Sequence, residues 1–206
     1  MKPLFFVILT TFTTLTFAQS NYRQDMNQAF EAWNEGNQKG VEVFSKVATT
    51  YPSEWLPKYY VAFGTTLQSF EESNPIEKEN QIDKAKLIIA LLEKDYPTNV
   101  EVLNLKALNL ASEIMLNPMK NGFTLMEEVQ SVYAKAKLLN KTNPRTILGQ
   151  AEFNIGASKF IGGDITNDCK AVEKAVALFN IEKVKEFEPN WGRDRAENLL
   201  NKECKK

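Results

Sequence analysis

The chain has 206 residues, with 25 basic and 26 acidic side chains, two cysteines and no histidine. That length suits one well-packed domain. The near-neutral balance, with no basic stripe, argues against nucleic acid as a partner. The lack of histidine removes Ser-His-Asp and Cys-His nucleophile systems and the usual zinc hydrolase ligand sets.

The start, Met1-Lys2-Pro3-Leu4-Phe5-Phe6-Val7-Ile8-Leu9, places one positive charge before an apolar core. Thr16-Phe17-Ala18 then offers small residues at the −3 and −1 positions of a cleavage site before Gln19. This layout predicts a signal peptide over 1–18 and a mature, exported chain over 19–206, in the periplasm or outside the cell. The apolar stretch is shorter than the ~20 residues a membrane span needs, and no later run reaches that length. No cysteine follows the cut, which argues against a lipid anchor.

Beyond the leader, apolar residues recur at three- and four-residue spacing and no sustained two-residue alternation occurs, so the predicted fold is all-α. Ala29 to Gly36 reads as a helix ending in a tight turn, and Gly40 to Pro52 as its partner. Trp55 opens the next helix, and Glu71 to Pro75 forms a turn. Ala85, Ile88, Ile89, Leu92 and Tyr96 form one stripe; Val100, Leu103, Ala107, Leu108, Ala111 and Ile114 form another. Two further turns are predicted at Asn117–Gly122 and Gly162–Asp168, with Asp168 as N-cap of a helix starting at Cys169. Gly36, Gly122 and the pair Gly162-Gly163 mark expected helix ends. Trp191 starts a last helix reaching Cys204, and an exported chain favours pairing Cys169 with Cys204.

Pro52, Pro97, Pro144 and Pro189 stand 45, 47 and 45 residues apart. A fixed period of this length signals a repeat of helix pairs. Twelve, eight and five residues before these prolines stand Gly40, Phe44 and Val47; Ala85, Ile89 and Leu92; Val132, Ala136 and Leu139; and Ala177, Ile181 and Val184. All are apolar or glycine, and each set reads as the buried face of a helix that its proline ends.

This spacing resembles the second helix and closing proline of the tetratricopeptide repeat (TPR), with a period longer than that family's ~34 residues. The resemblance covers 22–202 and implies an α-α solenoid of about nine helices, four pairs plus a C-terminal helix. Trp55-Leu56-Pro57-Lys58-Tyr59-Tyr60, Ala151-Glu152-Phe153-Asn154-Ile155-Gly156 and Pro189-Asn190-Trp191-Gly192 also resemble exported TPR-like proteins common in Bacteroidetes.

Such a stack implies protein or peptide binding on a concave groove, without catalysis. The groove candidates are Tyr60, Asn109 and Glu152, at fixed offsets after the prolines, together with Arg193 and Arg195 beside Trp191 as a carboxylate clamp. A small molecule or glycan in the concave face is the alternative. Glu152, set in an apolar helix, would be the acid of a carboxylate-type hydrolase. Asp164 and Asp168 lack the other ligands of a calcium loop, so no metal is expected. Walker and GxGxxG loops are absent, so neither is a nucleotide cofactor.

Overall fold

A computed structural model describes residues 10–205, with side chains placed from 21 onward. Positions 1–9 of the expected signal peptide lie outside the described residues. The fold is all-α, as its periodicity predicts: α1 (Thr10–Glu35), α2 (Asn37–Thr50), α3 (Trp55–Glu71), α4 (Pro75–Asp95), α5 (Val100–Ile114), α6 (Pro118–Leu139), α7 (Pro144–Ile161), α8 (Thr166–Ile181) and α9 (Arg193–Leu199), which runs on into a wider turn at Leu200–Cys204. Consecutive helices pack as pairs, α1 with α2 through α7 with α8. No described helix is long and apolar enough to cross a membrane.

Three Asn-Pro dipeptides set helix starts. Asn74, Asn117 and Asn143 accept hydrogen bonds from first-turn N–H groups, and Pro75, Pro118 and Pro144 occupy the first turn, where a missing N–H costs nothing. Pro118 therefore begins α6, so 118–122 is helical rather than a turn and Gly122 lies within the helix. Likewise α8 begins at Thr166. Asp168 lies inside its first turn and does not cap it; Asp164 instead accepts from the Thr166 backbone N–H at 3.0 Å and hydroxyl at 2.7 Å.

The proline beat is only half a helix beat. Pro52 and Pro97 sit in the turns ahead of α3 and α5, whereas Pro144 sits in the first turn of α7 and Pro189 lies beyond α8 in an irregular segment. The faces counted back from Pro52 and Pro97 are buried as expected: Gly40, Phe44, Val47, Ala85, Ile89 and Leu92. On α6 the buried face is Val129, Val132, Tyr133 and Ala136, and Leu139 is exposed. On α8 it is Val172, Ala175 and Phe179, while Ala177 and Ile181 face solvent.

Helix α5 is central and packs on α3, α4, α6 and α7. It is buried almost without interruption from Val102 to Leu110, so its polar residues must be satisfied internally. Asn104 donates to Asn143 Oδ1 and accepts from the Thr146 hydroxyl; Asn109 donates to the Ile82 carbonyl and Thr66 Oγ1.

After α8 the chain does not turn into another pair. Residues 182–192 run back across the first two pairs as a strap. Tyr60 Oη donates to the Phe187 carbonyl at 2.9 Å, and Trp191 Nε1 donates to Tyr59 Oη at 2.9 Å. Phe187 stacks on Phe30, and Trp191 on Phe63 with ring centroids 4.7 Å apart. Phe187 has φ 63°, a left-handed conformation costing a bulky residue about 1–3 kcal/mol, offset by its ring contacts and carbonyl bond. Gly192, at φ 110°, turns the strap into α9 where a Cβ would meet Phe179 at 2.8 Å.

Arg145 pins this arrangement. It is 4% exposed, its Nε donates to Glu101 Oε2 at 2.9 Å, its fork grips both oxygens of Glu182, and Nη1 also reaches the Trp191 carbonyl. Burial alone would lower the Arg145 pKa, but the two carboxylates outweigh it and raise it; burial pushes Glu101 up against the pull of Arg145. Replacing Arg145 by Ala should lower unfolding free energy by about 3–5 kcal/mol, because two largely enclosed carboxylates lose their counter-ion. Arg145→Lys should recover only part, since an ammonium cannot match the fork; urea titration of both variants checks this.

Candidate binding cleft

Between α5, the first half of α6, α7 and the strap lies a cleft of about 810 Å³. Its walls are chiefly apolar: Leu108, Ala111 and Ile114 from α5, Met126 from α6, and Leu148 and Phe153 from α7, with Trp191 of the strap among them. Between its larger residues, α7 leaves part of the wall unfilled. A Cβ added at Gly156 would meet nothing within 4 Å, and Ala157 is next to it. Gly149, two turns earlier on the same face, is different: a Cβ there would stand 2.6 Å from Tyr133 Oη, so its smallness seats the buried Tyr133. Burial in turn pushes the Tyr133 phenol pKa well up, keeping it neutral.

The first half of α6 leans away from the core. Its buried side chains begin only at Val129, and Met119 and Phe123 point outward, Phe123 at 96% exposure. Phe160 and Ile161 at the end of α7 are exposed as well, and both line the cleft. Two polar edges bound the cleft. On one, Gln130 donates to Asn154 at 2.6 Å and Asn154 to Asp168 at 2.8 Å, joining α6, α7 and α8. On the other, Glu152 of α7 takes a two-pronged grip from Arg195 of α9, at 2.8 and 2.7 Å.

Cys169 and Cys204 form the expected disulfide, 35 residues apart. It fastens the terminal turn to α8, where Leu199, Leu200 and Cys204 pack on Ala151, Ile155 and Val172. That packing holds α9, and hence Arg195, against α7.

The five groove candidates separate accordingly. Tyr60 is buried beneath the strap, which lies where an open groove was expected. Asn109 is buried with its amide committed to Ile82 and Thr66, so neither residue faces the cleft. Arg193 points outward and pairs with Glu197 at 3.1 Å, one turn on. Glu152 and Arg195 are brought together on the cleft wall, so the carboxylate that would have served as an acid has a guanidinium partner. Met126 of α6 and Gly149 and Gly156 of α7, which line the cleft, were not singled out. Their signal is Gly122 and Met126 four residues apart on one helix and glycines seven apart at 149 and 156 on the other.

No protein-family model matches the chain, and no curated protein is similar to it in sequence. Among solved structures, the fold is similar to that of the HusA haemophore from Porphyromonas gingivalis: TM-score 0.76, 24% identity, covering 87% of this chain and 90% of that one. The likeness is one of fold.

Gly149→Ala and Gly156→Ala should act oppositely. The first should destabilise by about 1–3 kcal/mol through overpacking at Tyr133; the second should stabilise by about 0.5–1 kcal/mol by removing a mid-helix glycine. Cys169→Ser with Cys204→Ser should lower stability by about 2–4 kcal/mol. Thermal or denaturant melts of the variants provide the readout.

Proposed function

We propose that this chain is an exported carrier that binds a flat, largely apolar ligand of the porphyrin class in the α5–α6–α7 cleft. The observation carrying this reading is the cleft itself, an apolar hollow of about 810 Å³ with an unfilled wall at Gly156. That volume lies within the ~300–1,000 Å³ typical of small-molecule sites, and the likeness of the fold to a haemophore names the ligand class to try first. With no histidine in the chain, affinity must come from burying ring faces against Leu108, Leu148 and Phe153 rather than from imidazole ligation. Met126 adds a polarisable contact suited to an aromatic ring.

Export rests on the leader-like 1–18, with 19–206 as the mature chain, and on the disulfide. The succession of helix pairs fits a TPR-like stack with lengthened helices, its first groove filled by the strap. Glu152 belongs to an ion pair rather than an acid pair, which favours binding over hydrolysis. A protein partner is the second reading, favoured by the exposed large apolar side chains Met119, Phe123, Phe160 and Ile161.

Gly156→Phe fills the open wall without touching the core. It should weaken binding of metal-free protoporphyrin and of haem by about tenfold or more by occupying their space. Leu91→Ser, on the exposed side of α4, should leave binding unchanged. Fluorescence and absorbance titrations check both; undiminished binding by Gly156→Phe would place the ligand elsewhere.

A further inference from the structure

Glu152 and Arg195 do more than edge the cleft. Both also line a second, shallower hollow of about 400 Å³, shared with Asn198, Leu199, Lys202 and Glu203. The ion pair thus stands at the junction of an apolar hollow and one edged mainly by charged side chains. Its side chains remain 39% and 29% exposed, so water screens it and it contributes little to holding the fold.

The other cations around the cleft are differently placed. Arg145 is enclosed by Glu101 and Glu182 and is 4% exposed. Arg193 points outward to Glu197, and Lys159 is paired with Glu203 at 2.6 Å. At the opposite edge stands Asp168, whose charge repels an anion. A ligand with an apolar ring and carboxylate arms therefore has one favourable orientation, ring in the cleft and acid toward Arg195.

Resting on the porphyrin-class reading above, we propose that the second hollow is a carboxylate-arm subsite. Arg195 takes the ligand's acid bidentately, and Glu152 is a resident counter-ion that swings into water to admit it. Lys202, on the same hollow, adds positive charge for a second arm. Because one carboxylate replaces another on the same fork, the native chain gains little from the exchange. Glu152 thereby restrains affinity for acids, and its removal strengthens their binding.

The test compares protoporphyrin IX with its dimethyl ester on the oxidised mature chain and on Glu152→Gln and Arg195→Gln, by fluorescence titration in one buffer. Glu152→Gln should tighten the diacid by roughly tenfold while leaving the ester unchanged, since a charge-assisted bond no longer has a competitor. Arg195→Gln should erase any difference between acid and ester while the ester still binds. Equal affinities for acid and ester in all three proteins would overturn the subsite and leave the cleft reading standing. Failure of both forms to bind the native chain would overturn the cleft reading and the subsite together.

Discussion

The guanidinium of Arg145 is the constraint on which the rest of the architecture depends. It leaves the first turn of α7, meets Glu101 at the start of α5, and closes on Glu182 just past the end of α8. Three segments far apart in sequence are thus held by one planar fork in a place where none of the charges can be left alone. Asn143 reinforces it by donating to the other oxygen of Glu101 while capping α7. Helix α8 ends here because its next residue, Glu182, is drawn inward to the cation.

From that fixed point the strap follows. A chain leaving Glu182 toward the first pairs must cross an aromatic field made by Tyr22, Phe30, Tyr59, Tyr60 and Phe63. Phe187 and Trp191 enter it, and their rings together with two hydrogen bonds outweigh the left-handed backbone at Phe187. The first half of the stack, which a repeat protein would use as an open groove, is closed by its own C-terminal segment. Trp191 reaches the second half as part of the wall of the cleft.

The cleft is a packing vacancy lined in part by small residues. On its wall α7 presents Gly156 and Ala157, and α6 presents Gly122 and Met126. Such a vacancy forfeits dispersion contacts unless something enters it. The neighbouring ion pair is exposed enough to rearrange, and the disulfide holds the helix that carries it.

Much of this was legible in the chain. The three- and four-residue spacing determined an all-α fold, because each helix must bury one stripe. The faces before Pro52 and Pro97 were readable for the same reason, and two cysteines allowed only one pairing within the chain. The Asn-Pro starts of α4, α6 and α7 were also present, as local capping chemistry that needs no tertiary partner. What the sequence did not contain was the fate of Pro189, which lies in the strap instead of closing another helix pair. Its course is set by Glu182, which meets Arg145 only where α8 packs back along α7, with Glu101 of α5 on the other side of the guanidinium. Tyr60 and Glu152 stand eight residues after their prolines and Asn109 twelve after its own, yet Tyr60 lies under the strap, Asn109 inside the core and Glu152 on the cleft wall. A helical offset fixes which way a side chain points on its own helix, but its surroundings depend on contacts 43 to 127 residues away along the chain.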